Sequence, residues 1–477
     1  MDSTTILLIM ALVFGFYMAW SLGANDAANA LGTSVGSGAL TLRKAVIIAA
    51  GLEFCGAFLF GSNVSDTVQN GIVNPEFFVD DPMLFAYGML GALLASGVWL
   101  QLASYFGWPV STTHAIIGAV LGFGLVIGGP ESIHWGQVAF IAMSWVFSPL
   151  MGGIIAFITF TVIRKRVLYS RNPVLAAKKI IPMLVFLITT MLSLAMIFRT
   201  YKQLSKDVSF LQILAIALAI GFVGNLISRL LLRKVVVATD SSDKGPLCPD
   251  HQALTLLRKV SKNLTKLKGM FAGELYFRVA TVFNKVEEIK DRVSSSEEEC
   301  NSHGNMEIVT VEKLFGYLQM LSACFMAFAH GANDVANAMG PLAACVSTIY
   351  NGAITLNSTV PLWILALGGG GIILGLATWG WRVIETIGKK ITELTPSRGF
   401  AAEMGASTTI VLASAMGLPV STTHTLVGAV LGVGLARGIH TLNLGTIKDI
   451  VISWVVTIPV GAVMTVVFFY VLRWIFG

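Results

Sequence analysis

A chain of 477 residues that is 55% hydrophobic and only 12% charged, with a mean hydropathy of +0.76, is not an ordinary soluble domain, in which about 25% of residues carry charge. Its formal net charge is +6, yet the basic residues sit between apolar runs, where they set membrane topology instead of marking a nucleic-acid surface. Five scattered cysteines (Cys55, Cys248, Cys300, Cys324, Cys345) show neither disulfide nor metal-ligand spacing.

The composition predicts an all-α polytopic membrane protein. Long apolar runs lie near 5–22, 44–65, 83–106, 136–163, 181–198, 208–230, 314–330, 359–384, 401–416 and 450–476. The first, preceded by Asp2 and no basic segment, reads as a retained helix and not a cleaved signal; no transit peptide is visible. Two shorter glycine-rich runs, near 115–128 and 425–438, are below the ~20 residues a span needs, and read as re-entrant or half-helices. Ten to twelve membrane segments are expected. Residues 236–310 read as a soluble insertion with one or two amphipathic helices, either a plain connector or a regulatory, membrane-surface element. The loop 164–179 carries Arg164, Lys165, Arg166, Arg171, Lys178 and Lys179 without an acid, which assigns it and the insertion to the cytoplasmic face.

The chain repeats itself. GANDAANALG (23–32) and GANDVANAMG (331–340) agree at eight of ten positions, and GWPVSTTHAIIGAVLGFGL (107–125) and GLPVSTTHTLVGAVLGVGL (417–435) at 14 of 19. VSDTVQNGI (64–72) resembles VIETIGKKI (383–391), and SWVFSP (144–149) echoes SWVVTIP (453–459). The order is preserved, so two homologous halves, 1–166 and 311–477, flank two extra spans (167–235) and the insertion (236–310). Internal duplication of this kind is typical of secondary transporters, whose repeats are commonly inverted and meet at the midplane.

In PVSTTH, glycine and proline end the preceding helix and Ser111 caps the next. A helix start presents free amides with partial positive charge and takes oxyanions; the hydroxyls of Ser111, Thr112 and Thr113, with Ser421, Thr422 and Thr423 from the second copy, add donors. The alternative is that these hydroxyls are interhelical glue. His114 and His424 follow each cluster and read as structural, bonding a nearby carbonyl. In the GAND blocks, Asn25, Asp26 and Asn29, and Asn333, Asp334 and Asn337, offer the oxygen ligands a hard cation such as Na⁺ takes, and the flanking glycines let the helix break there. Charge within a span marks function by default; a structural polar knot is the bland alternative. Glu53 and Glu403 are lone charges without acidic counterparts in the other half, and His330 replaces Leu22 of the first block. Asp66 and Glu385 correspond but lie near span ends and read as structural.

Paired GANDxAN and PVSTTH blocks around a hydrophilic insertion resemble the inorganic phosphate transporter (PiT) family, and YLQMLSACFMAFAHGANDVANAMGPLAA resembles its bacterial and plastid members. The resemblance implies symport of inorganic phosphate with Na⁺ or H⁺ by inverted repeats, without other cofactor and without enzymatic activity. It implies coupling-cation ligation around Asp26 and Asp334, phosphate contact by the two serine–threonine clusters, and transport roles at Glu53, His330 and Glu403. The location implied is a cell inner membrane or, alternatively, a plastid inner envelope; a homo-oligomer is left open. GANDAAN departs conservatively from the commoner GANDVAN. Sulfate or another oxyanion is the competing substrate, and a membrane-embedded phosphoester enzyme or a passive channel the competing classes.

Overall fold

The computed structural model describes residues 2–203, 209–233, 251–270, 273–354, 360–381, 383–384, 394–438 and 442–477. Among these the chain is helical, with one isolated bridge between Val73 and Ile133. In lipid each backbone amide must find its partner within the protein, which leaves helices as this sequence's solution. Among the described residues, nine helices are long and apolar enough to cross a membrane.

The first half comprises α1 (Ser3–Gly36), α2 (Leu42–Asn70), α3 (Pro82–Tyr105), α4 (Thr112–Phe123) and α5 (Trp135–Ile163). Next come α6 (Pro173–Gln203) and α7 (Phe210–Arg233), then α8 (His251–Lys268). Helix α9 (Glu274–Asn351) runs unbroken from the insertion into the second half, so the boundary expected at 310 falls inside it; its membrane portion is Glu307–Asn351. The second half continues with α10 (Leu362–Trp379), α11 (Pro396–Ala415), α12 (Thr422–Arg437) and α13 (Leu444–Phe476). Residues 385–391 of the VIETIGKKI match, Glu385 included, lie outside the described residues, as do 234–250 of the region expected as loop.

Helices α3 and α4 form an out-and-back hairpin. Its base closes where Asn74 N donates to Ser132 O (2.7 Å) and His134 N to Ile72 O (3.0 Å), which places the start of α3 and the segment after α4 together. At the tip Gly107 adopts φ 68°, a left-handed value that glycine tolerates and that ends α3. The second half repeats this in α11–α12, with Gly417 at φ 72°. There the base is held by Glu312, which accepts from Ser397 N and Thr395 Oγ1 (both 2.9 Å), and by Arg164, which donates to Ala436 O. The breaks expected in the membrane helices therefore sit in the two PVSTTH tips.

The GAND blocks correct the other expected break: α1 and α9 continue through Gly23–Gly32 and Gly331–Gly340. The glycines serve close approach instead. A Cβ at Gly23 would strike the Ile372 carbonyl, and one at Gly331 the Glu53 carbonyl. Helices α1 and α9 run antiparallel, since Gly15 abuts Leu342 while Ser37 Oγ meets Gln319 Oε1 at 2.6 Å. By contrast α2 runs parallel to α9 (Gly56 against Phe328, Gly340 against Ser65), and α10 parallel to α1 (Gly371 against Phe16, Gly375 against Trp20). Helix α6 packs on this core through Ile181 and Ile188, and α7 packs on α6, exposing Leu211, Phe222 and Leu231.

Candidate functional site

Where the two hairpin tips meet α1 and α9, nearly every polar contact has a mate in the other half. Asn25 Nδ2 donates to Ser104 Oγ and Trp108 O (both 3.1 Å); Asn333 Nδ2 donates to Ser414 Oγ (2.9 Å) and Leu418 O (3.1 Å). Asn29 Nδ2 donates to Thr423 Oγ1 (2.8 Å), and Asn337 Nδ2 to Thr113 Oγ1 (3.2 Å) and Thr112 Oγ1 (3.3 Å). The tips also bond each other: Thr113 Oγ1 donates to Val420 O (3.1 Å) and Thr423 Oγ1 is placed to donate to Val110 O (3.2 Å). All these side chains are buried. The outer asparagine of each GAND block thus pins a tip, and the inner one holds the threonines of the opposite tip.

The aspartates converge. Asp26, His330 and Asp334 each place one ligand atom within 4.8 Å of the others, and all three are fully buried. The two expected cation sites are thus neighbours in one cluster. Thr422 Oγ1 donates to Asp334 Oδ2 at 2.6 Å, and Asn29 Nδ2 to Asp26 Oδ1 at 2.7 Å. His330 joins the cluster to Glu53: Nδ1 lies 3.1 Å from Glu53 Oε1, while Nε2 lies 3.0 Å from Asp334 Oδ2 and 3.8 Å from Asp26 Oδ2. Neither Nε2 contact is a hydrogen bond: the one to Asp334 is out of line and the one to Asp26 too long.

Several oxygens here have no donor among the described residues: Asn25 Oδ1, Asp26 Oδ2, Asn333 Oδ1, Asp334 Oδ1 and Asn337 Oδ1. A buried acceptor without a partner costs about 1–3 kcal/mol, and a hard cation satisfies such oxygens. The donor set therefore fits Na⁺ or protons.

Ser111 and Ser421 cap α4 and α12, accepting from the His114 and His424 amides at 3.1 and 3.2 Å. The first-turn amides of Thr112, Thr113, Thr422 and Thr423 have no acceptor among the described residues. The hydroxyls differ from expectation: those of Thr113, Thr422 and Thr423 are spent on carbonyls and carboxylates. Donors left for an anion among the described residues are the four amides and the hydroxyl protons of Ser111, Ser421 and Thr112, whose oxygen accepts from Asn337.

Glu403 stands apart from the aspartate cluster. It accepts from Thr33 Oγ1 (2.6 Å), Ser34 Oγ (2.5 Å), Gln319 Nε2 (3.1 Å) and Ser322 Oγ, a cage from α1 and α9 around a carboxylate on α11. Neither this cage nor the Glu53–His330 pair has a polar mate. Glu53 corresponds to Ile372 and His330 to Leu22, so one flank of the site is charged where the other is aliphatic. His114 and His424 meet edge to face with ring centroids 4.4 Å apart, and His114 Nδ1 lies 3.4 Å from Trp454 O, a carbonyl contact of the kind expected of it. Sequence reasoning missed Ser104, Ser414, Thr33, Ser34, Gln319 and Ser322. For the first two a signal existed: each stands five residues before the proline of PVSTTH.

A family model described as the phosphate transporter family matches residues 22–465. The chain belongs to the phosphate transporter family. It is 45% identical to the chloroplastic inorganic phosphate transporter 2-1 of Arabidopsis thaliana over 99% of this chain and 73% of that protein. A Chlamydia pneumoniae relative is 45% identical over 98% of this chain and 99% of its own length. The solved structure of a sodium-dependent phosphate transporter superposes with a TM-score of 0.78 at 36% identity, over 98% of this chain and 100% of the other. The family and these relatives identify a multi-pass membrane transporter and not an enzyme, and a bacterial and a chloroplastic relative fit an inner membrane or plastid envelope.

Proposed function

We propose that this transporter carries inorganic phosphate together with Na⁺ or H⁺ by alternating access, at a midplane site shared between two inverted repeats. The observation that carries the reading is the mated set of bonds joining the two hairpin tips to Asn25, Asn29, Asn333 and Asn337 around one Asp26–Asp334 cluster. Antiparallel α1 and α9 support the inversion. So does the crossing count: each half crosses three times, its hairpin returning to the face it left, with α6 and α7 between. Ser111, Thr112 and Thr113, and Ser421, Thr422 and Thr423, hold the anion, chiefly through first-turn amides. Asn25, Asp26 and Asn29, with Asn333, Asp334 and Asn337, hold the cations.

Charge decides why cations are needed. Each elementary charge moved against the potential costs about 2.3 kcal/mol per 100 mV, so HPO₄²⁻ entering a negative cell pays about 4.6 kcal/mol. Two monovalent cations cancel that cost, and they screen Asp26 and Asp334 from the anion. Sodium is favoured by the unpartnered oxygens and by the sodium-dependent structural relative. His330, with a carboxylate beside each ring nitrogen, is the group placed to carry a proton if the coupling ion is H⁺. Phosphate is favoured over sulfate because its O–H can donate to a buried carboxylate.

Uptake into liposomes under imposed Na⁺ or H⁺ gradients, with sulfate as competitor, tests the proposal. Asp26→Asn and Asp334→Asn should each lose cation-dependent phosphate uptake while remaining folded and inserted. Wild-type rate and cation dependence in either variant would remove that aspartate from the coupling site.

A further inference from the structure

A cavity of about 490 Å³ lies between the tip of the α3–α4 hairpin and the first turns of α13. Trp99, Phe106 and Trp108 line it from the hairpin, Asp449 and Ser453 from α13. Asp449 is exposed, and no lysine, arginine or histidine among the described residues lines the space with it; its neighbour Lys448 is exposed outside the lining. The walls are held: Trp99 Nε1 donates to Thr457 Oγ1 (3.2 Å), and the Phe106 and Trp108 rings stack at 5.2 Å with 28° between their planes.

The cavity abuts the oxygens of the candidate cation site. The Trp108 carbonyl accepts from Asn25 Nδ2 at 3.1 Å, so one side chain separates the two. The other end of that amide, Asn25 Oδ1, is buried without a donor among the described residues. The cavity also has a definite side. It lies where α13 begins, and α13 follows α12, whose last turn takes the Arg164 guanidinium at Ala436 O. Arg164 opens the basic loop 164–179, whose charges assign that face to the cytoplasm. The duplication supplies no twin: the positions matching Trp99, Phe106, Trp108 and Asp449 are Thr409, Met416, Leu418 and Phe140, which carry no charge. With inverted halves, an unmated cavity serves one face of the membrane only.

A carboxylate in a cleft with low-dielectric walls focuses its field and raises the local concentration of counter-ions. The negative faces of aromatic rings act in the same sense. The same field repels HPO₄²⁻, so the cavity suits the cation and not the anion. We propose that this cavity is a cation antechamber through which Na⁺ passes between the cytoplasm and the transport site, with Asp449 as the residue that concentrates it. The inference rests on the sodium form of the coupled transport proposed above. Asp449 acts on the approach of the cation and not on its final ligation, which stays with the GAND blocks.

The test is uptake of labelled phosphate, against Na⁺ concentration, by inside-out and right-side-out membrane vesicles carrying the full-length protein. Loss of one charge from a partly aqueous cleft lowers the local cation concentration about threefold. In inside-out vesicles at low ionic strength, Asp449→Asn should therefore raise the half-saturating Na⁺ about threefold, while Asp449→Glu should keep the wild-type value. High N-methylglucamine chloride should erase the difference, because salt screens an exposed charge. In right-side-out vesicles the half-saturating Na⁺ should match wild type, as should the half-saturating phosphate at saturating Na⁺ in both preparations. An unchanged half-saturating Na⁺ in inside-out Asp449→Asn vesicles overturns the antechamber. So does an equal rise in both preparations, or a rise that the added salt leaves intact. These results leave the coupling role of Asp26 and Asp334 standing, since their own variants test it. Wild-type uptake without Na⁺ dependence overturns the antechamber whatever Asp449→Asn does.

Discussion

Replacing Thr423 by valine keeps the side-chain shape and removes one hydroxyl. That oxygen accepts from Asn29 Nδ2 at 2.8 Å and lies 3.2 Å from Val110 O and 3.3 Å from Asp26 Oδ1, in a buried setting. Without it the Val110 carbonyl keeps no donor from the opposite tip, and the Asn29 amide falls back on Asp26 and a long 3.4 Å contact to Thr422. One buried carbonyl left unpaired costs about 1–3 kcal/mol. The same bond positions the first-turn amides proposed to hold phosphate, so affinity should fall by roughly tenfold or more. Thr113→Val, which deprives Val420 O of its 3.1 Å donor, should cost a similar amount, because the two bonds are mates. The double variant should lose less than the sum, since once one bond releases the tips the other has less to hold. Calorimetric titration of phosphate into the purified protein at saturating cation reads all three. Wild-type affinity in either single variant, or a loss in one without its mate, would refute the reasoning.

The Glu53–His330 pair should behave as a unit. Glu53→Ile alone leaves His330 Nδ1 without its 3.1 Å partner and should destabilise by about 1–3 kcal/mol. Adding His330→Leu installs the Ile372–Leu22 combination of the other flank, and should recover most of the melting temperature without recovering uptake. Gly23→Ala and Gly331→Ala should each prevent correct assembly, since the new methyl meets a backbone carbonyl that cannot turn away; monodisperse protein at wild-type yield from both would contradict this. Deleting 245–305 behind a flexible linker should leave the phosphate-induced rise in melting temperature intact, because the described contacts of the site involve no residue from that stretch.

The membrane class, the internal repeat and the residue types of the candidate site were legible in the one-dimensional pattern. Span length is imposed by bilayer thickness, a duplication repeats its own letters, and a helix start after Gly-x-Pro is a local consequence of backbone sterics. The Ser111 and Ser421 caps appear where that logic puts them. Other features depended on packing. Glycines around the GAND blocks suggested broken helices, but a glycine costs a helix only about 1 kcal/mol, less than exposing backbone amides in lipid, so α1 and α9 stay whole and use those glycines for contact. Neither acid nor histidine carries a label naming its partner. Glu53 finds His330 across 277 positions, and Glu403 finds Ser34 across 369; only antiparallel α1 and α9, each packed between helices of the other half, bring them together. That same packing merges Asp26 and Asp334 into one cluster and turns the threonine hydroxyls toward them, leaving the helix-start amides free, because distance in a folded membrane bundle is set by helix contacts and not by separation along the chain.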